Sequence, residues 1–578
     1  MLARIPYEFR VAVTGHRNIP DELAVERAIE RVLDRITSTL DKVDVDATSI
    51  AWTIVSPLAR GADQLAAKTL LERVGARLEV VTPFPLAEYR KDFSSDGELA
   101  QFEGLLARAA AVNELACTGQ FGELPCDQGD GEALKALKAL RDAAYLRAGE
   151  RVVETSEVLL AIWNGRQAAG AGGTAEIVEY ALERDRMVLW INAEHPEEPP
   201  RRIRAVKYAG NSSDQAAIVT AEEFQLTLKQ LSPGYCQQLA YFRDSALVLE
   251  DYEVEMRRTK DHLTNAAVHA GLPATALDGV LNLIVPQFAR ADALALLYHR
   301  KHARGVSGVL YLAALAVTIA VGQVLFFPER LWLILFEIGA MLVVLGLWAS
   351  AGSSGWHEKW LYARYLAEQL RIAMFTGLLQ SQSRHERGDP LPFYRGPQQW
   401  LVQAVRNIVS EAGRTIPPLP LEALKRFLIE AWLEDQRRFH DRCAERKAHA
   451  AHRRHWLGFT LFGATLLMAL LHFIGVGHHA RGAEWPVLTP SVWITFLALV
   501  LPAWAGAVHA VSSQLELERI AERSHRMAMA LEWLVHRATR ATTADDLRQT
   551  VNETAELMMV ENHEWWVLLS FQGARLHV

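Results

Sequence analysis

A chain of 578 residues with a formal charge of −7 has the length for two to four domains and lacks the basic excess that a nucleic-acid polymer would demand. Its four cysteines, Cys117, Cys126, Cys236 and Cys443, form no CxxC pair and no zinc spacing, which argues against a disulfide scaffold and suits a reducing compartment. The first ten residues, Met1 to Arg10, lack the apolar stretch of a signal peptide, so the front of the chain is expected on the cytoplasmic side.

The front of the chain alternates strands and helices. Phe9 to Thr14 reads as a buried strand that stops at Gly15-His16-Arg17, with a helix pattern from Asp21. Thr53 to Val55, Leu78 to Thr82, Val158 to Trp163 and Met187 to Asn192 follow as strands, separated by helical stretches. This alternation predicts an α/β domain over residues 1–200, built on a doubly wound, Rossmann-like parallel sheet. Ligands on such sheets bind beyond the carboxyl ends of the strands.

Three turns lie at those ends. In Thr14-Gly15-His16-Arg17, glycine lets the backbone approach a ligand and Arg17 can pair with phosphate. In Ala59-Arg60-Gly61-Ala62-Asp63, an arginine precedes a helix with a carboxylate in its first turn. In Gly172-Gly173-Thr174-Ala175-Glu176, which continues Gly170-Ala171, bare amides at a helix N-terminus would hold a phosphate, and Glu176 can accept from ribose hydroxyls. One such turn by itself reads as structural; three in one domain point to a ligand. Trp163 either stacks on a base or caps the sheet core, and Tyr89, Asp92 and Phe93 form a further candidate edge. No catalytic constellation stands out.

From about Ala221 to Arg300 the pattern is largely helical, giving a connector over 201–300. Four apolar runs then arrive as two hairpins: Gly305 to Phe327 with Leu331 to Ser350, and Trp456 to Gly475 with Ser491 to Ala510. Each is long enough to cross a hydrocarbon core of roughly 30 Å, so an all-α membrane region with four transmembrane helices is expected. Basic residues crowd the outer flanks (Arg300, Lys301, Arg304; Arg446, Lys447, Arg453, Arg454), whereas the connectors are far less basic. The positive-inside bias puts the flanks and both termini in the cytoplasm of a multi-pass protein. Each hairpin is followed by a charged helix, with Arg364, Glu368 and Arg371 matched by Arg519, Glu522 and Arg526, an approximate internal repeat over 301–380 and 441–578. The linker 381–440 holds the helix breakers of Gly388 to Pro397 and Ile416 to Pro420. Glu337, His472, Pro502 and His509 lie inside apolar runs and are candidate pore or interface residues, although Glu337 is also near enough to one end to snorkel. His449, His452 and His455 are interleaved with arginines and read as a cationic flank rather than a metal site.

Val13-Thr14-Gly15-His16-Arg17, Ser56-Pro57-Leu58-Ala59-Arg60-Gly61-Ala62-Asp63 and Gly172-Gly173-Thr174-Ala175-Glu176 resemble, in order, the turn motifs of the SLOG superfamily, which includes the DNA-processing protein DprA and the Lonely Guy phosphoribohydrolases. The hairpin regions, with the closing Glu561-Asn562-His563-Glu564-Trp565-Trp566, resemble SLATT two-helix membrane modules. This resemblance implies a bacterial inner-membrane effector of abortive-infection defence, in which a homo-oligomer disrupts the membrane or forms a pore on sensing a nucleotide-derived second messenger. It implies a regulatory nucleotide-type ligand and no other cofactor. Where Lonely Guy enzymes carry Pro-Gly-Gly-x-Gly-Thr-x-Glu-Glu, this chain has Ala169-Gly170-Ala171-Gly172-Gly173-Thr174-Ala175-Glu176-Ile177, so binding without turnover is expected. The alternatives are a membrane-anchored nucleotide glycosidic-bond hydrolase and a ligand-gated channel with no defence role.

Overall fold

The computed structural model describes residues 6–41, 50–115, 131–167, 172–207, 218–223, 227–244, 246–353, 355–380, 399–412, 419–476 and 489–570. Ala169, Gly170 and Ala171, and the breaker-rich loop Gly388 to Pro397, lie outside them.

β1 (Tyr7–Gly15) is buried along its first seven residues, as a central strand covered on both faces must be. β2 (Ile50–Ser56), β3 (Arg77–Thr82) and β4 (Ala109–Glu114) lie to one side of it, and β5 (Val158–Trp163) and β6 (Met187–Asn192) to the other, all parallel. β7 (Arg201–Lys207) and β8 (Ile218–Glu223) then add antiparallel, giving the order β4-β3-β2-β1-β5-β6-β7-β8.

The expected sheet is therefore corrected in two respects. It is mixed rather than wholly parallel, and it continues past residue 200 into the stretch expected as a helical connector. Among the described residues helices resume after β8, at Leu228–Leu231, Pro233–Phe242 and Leu249–Ala270. Ala12, Val55, Leu159, Trp163, Ile177 and Val178 belong to one core cluster, and the helices Gly131–Glu154 and Thr174–Glu183 close on each other where Ile177 meets Gly149. At the amino end of the sheet Arg10 is buried among Glu8 (2.7 Å), Glu79 (2.5 Å) and the Thr155 carbonyl (2.7 Å).

By its internal contacts the chain forms two units, Arg4–Asp244 with Asp389–Asn407, and Met1–Ala3 with Ser245–Gly388 and Ile408–Val578. The second is helical. Among the described residues three of its helices are long and apolar enough to cross a membrane, namely Val280–Phe326, Leu421–Phe473 and Pro490–Arg540. The remaining apolar run lies mainly in the 20-residue helix Ile334–Ser353. Phe459, Phe462, Leu466, Leu470 and Phe473 are exposed along one of the long helices, the surface expected of a helix that meets lipid.

The two halves of this unit share a device that their sequences do not advertise. A five-residue π-helical turn, Val280–Ile284, leads into the helix Val285–Phe326, and another, Ile429–Leu433, leads into Glu434–Phe473. In each half a partner helix then returns (Ile334–Ser353; Pro490–Gln514), followed by a charged helix (Trp356–Gln380; Leu517–Arg540). The hairpins meet where Trp504 Nε1 donates to Thr318 Oγ1 at 3.0 Å and Phe326 packs on Trp493.

Candidate functional site

The strand order reverses between β1 and β5, the switch point at which sheets of this kind bind ligands beyond the carboxyl ends of the strands. Gly15 ends β1 in a space that no side chain fits, because a Cβ there would lie 2.4 Å from Ala62 Cβ and 2.7 Å from the Ile162 carbonyl oxygen. This contact brings the first two turns together. His16 ties the strand ends: its N–H donates to the Ile162 carbonyl (3.0 Å), its carbonyl accepts from Ala62 N–H (3.0 Å), and its Nε2 accepts from Asn164 N–H (3.1 Å).

Arg17 is exposed and makes no ion pair among the described residues; its guanidinium lies over the Tyr145 ring, 5.5 Å from the centroid. Asp63, close enough to feel the charge of Arg17, is buried, with Ser56 Oγ at 3.4 Å. Burial raises the Asp63 carboxyl from 3.8 to about 7, against the opposing pull of the Ala59 N–H, Ser56 and Arg17. Arg60, expected at the ligand, pairs instead with Glu98 at 2.7 Å. Gly61 and Gly173 precede the helices Ala62–Arg73 and Thr174–Glu183, and neither helix has a side-chain N-cap. Both N-termini thus retain the partial positive charge that favours an anion.

At the third turn Gly172 adopts φ +78° and presses on the helix Gly131–Glu154, where a Cβ would come within 3.0 Å of Tyr145 Cβ. Its N–H donates to Glu176 Oε2 at 2.6 Å, so the carboxylate closes its own loop. Thr174 is the first residue of the following helix. Tyr145 therefore touches the first and third turns together. Trp163 is only 1 % exposed, and its Nε1 donates to the Arg166 carbonyl at 2.8 Å. Of its two expected readings, the core one applies.

Sequence reasoning missed two residues here. Arg141 pairs with Asp92 and with Glu88 (3.0 Å) while lying over the Phe84 ring at 4.6 Å, and Tyr145 supports Arg17. Both belong to a helix with no motif of its own. Asp92 is raised by burial, against the opposing pull of Arg141 and Arg17. Tyr89 is buried with its ring against Phe84, Phe93, Phe102 and Tyr145.

No protein family, curated protein or solved structure matches the chain. The chemistry of the site is therefore read from its own residues. An exposed guanidinium with no ion pair among the described residues, two helix N-termini without side-chain caps and a carboxyl raised to about 7 suit an anion with a hydroxylated or aromatic body. Among the described residues no three His, Cys, Asp or Glu side chains gather as metal ligands.

The membrane candidates are scattered. Glu337 lies in the first turn of Ile334–Ser353, beside exposed Phe336 and Ile338. His472 lies in the last turn of its helix, with Nδ1 3.3 Å from Thr495 Oγ1. Pro502 and His509 are exposed on Pro490–Gln514, whose Ala505 and Val508 are buried. The four residues do not converge on one site.

Proposed function

We propose that the protein is a membrane effector in which the α/β unit binds a nucleotide-derived, phosphate-bearing messenger and the helical unit responds by changing its assembly in the bilayer. The observation that carries this reading is Arg17, exposed, without an ion pair among the described residues and braced on Tyr145 beside the N-terminus of Ala62–Arg73, which has no side-chain cap. Guanidinium and helix N-terminus together form a phosphate cradle. The resemblance to SLOG and SLATT proteins extends the proposal to bacterial antiviral defence at the inner membrane, with both termini cytoplasmic and several chains forming the lesion. In this reading Ile334–Ser353 is the fourth span, since its 20 residues reach about 30 Å as a helix.

A ligand shifts the effector only by binding its active state more tightly than its resting state. The test is release of dye from liposomes carrying the full chain, with nucleotides supplied outside and the mass of any co-purifying small molecule measured in parallel. An active nucleotide should accelerate release, and Arg17→Ala should weaken its binding by tenfold or more, as loss of a charge-assisted contact worth about 1.5–3 kcal/mol requires. Release that is equal with and without every nucleotide would reject ligand gating. Asp63, titrating near pH 7, favours a second reading, a nucleotide hydrolase. Release of free base from nucleoside monophosphates would select it.

A further inference from the structure

The two halves of the helical unit enclose a cavity of about 210 Å³ at the level where the long helices pass from charged to apolar sequence. His302, on its wall, stands three residues before the first apolar run. Arg364 and Arg371 come from the charged helix of one half and Arg519 and Arg523 from that of the other, so the repeat directs four guanidiniums into one space.

Carboxylates partly neutralise this charge. Glu368 bridges Arg364 and Arg371 (2.7 Å to the latter), Glu516 lies 3.1 Å from Arg519, and Glu561 lies 3.4 Å from Arg523. Arg364 and Arg371 also lie 4.0 and 3.8 Å from Asp292, and Arg523 donates to the Glu561 carbonyl; because a guanidinium has five N–H donors, these contacts still leave donors, on Arg519 above all, for another acceptor.

Two buried polar groups on the wall are unsatisfied. Asn562 is 6 % exposed and His440 8 % exposed, yet Asn562 Nδ2 and His440 Nδ1 have no hydrogen-bond partner among the described residues. A buried donor left unmatched is costly, and native structures rarely tolerate it without a reason. Leu515, Ile520 and Met558 make another part of the wall apolar.

We infer that this cavity is a second ligand site, taking the phosphate of a phosphate ester against Arg523, Arg519 and the Asn562 amide, with the ester's carbon skeleton on the apolar wall. The site belongs to the helical unit alone and stands apart from the ligand proposed for the α/β unit. A phospholipid headgroup and a soluble phosphomonoester share this chemistry, and bound ligand would pin the two halves together at the edge of the bilayer.

The experiment uses the full chain in detergent, studied by native mass spectrometry and thermal unfolding. One arm adds phosphatidylglycerol, with diacylglycerol as the phosphate-free control; the other adds glycerol 3-phosphate, with glycerol as control. The expected result is a one-to-one adduct and a raised Tm with the phosphate member of at least one pair. Asn562→Asp should cut that affinity tenfold or more by placing a carboxylate where the phosphate oxygens sit. If that variant does not fold, Arg519→Glu, on a side chain 73 % exposed, makes the same test at the rim. A response to the lipid alone identifies a headgroup site, and a response to glycerol 3-phosphate identifies a site for soluble esters. No phosphate-dependent adduct or Tm shift in either arm would overturn the inference, as would binding that the folded variant leaves unchanged.

Discussion

The N–H of Gly172 donates to the carboxylate of Glu176 at 2.6 Å, so the residue that motif reading assigned to a ribose is held by its own loop. Glu176→Ala removes the acceptor and should cost about 1–3 kcal/mol of stability while weakening nucleotide binding. Glu176→Gln keeps a carbonyl oxygen in place and should bind within about threefold of wild type. Calorimetric titration of the full chain separates the two. Equal loss in both variants would mean that the negative charge itself meets the ligand.

Asp63 gives the site a pH dependence of definite sign. Its carboxyl is raised to about 7, so it is largely neutral in mild acid and ionises as the pH climbs through neutrality. An anionic ligand near Arg17 should therefore bind more tightly at pH 6 than at pH 8. Asp63→Asn should flatten that profile. A profile that steepens in the opposite direction would remove Asp63 from the ligand's field.

Glu157 predicts a pH effect on stability alone. It is buried at the amino end of the sheet, where Ser232 donates to Oε1 at 2.7 Å and Tyr7 also donates, while Oε2 has no partner among the described residues. Burial raises its carboxyl from 4.5 to about 7, against the pull of Tyr7 and Ser232. The folded chain thus holds this proton more tightly than the unfolded chain does. That contribution is complete below pH 4.5 and is lost as the pH rises through about 7. Thermal unfolding across this range should show a smaller decline in Glu157→Gln than in wild type.

Two substitutions probe the sheet directly. Arg10→Ala leaves Glu8 buried without its cation and should cost about 3–5 kcal/mol in denaturant unfolding. Gly15→Ala forces a methyl against Ala62 and the Ile162 carbonyl, for a cost of roughly 1–3 kcal/mol and a splayed first turn. Because the Arg10 network is at the opposite end of the strands, only the Gly15 variant should also lose ligand affinity.

The legible strands were the covered ones. β1 and β5 are sequences such as Val-Leu-Leu-Ala-Ile-Trp, apolar because both faces are buried. β4, Ala-Ala-Ala-Val-Asn-Glu, is largely exposed at the sheet edge, and β7, Arg-Arg-Ile-Arg-Ala-Val-Lys, is mostly basic, so neither announces itself. At the site, the turns around Arg17, Asp63 and Glu176 were legible because glycine marks close backbone approach. Arg141 and Tyr145 were not, since nothing local distinguishes them from other helix residues.

Sequence alone thus determined that an α/β domain with glycine turns precedes paired apolar runs, because burial and lipid contact both impose composition on consecutive residues. Only the tertiary structure decided which charges meet. It set Tyr145 under Arg17, removed Arg60 to Glu98, and drew four arginines from two separate helices around one cavity. Such meetings depend on where helices distant in the chain come to rest, and no local pattern encodes that.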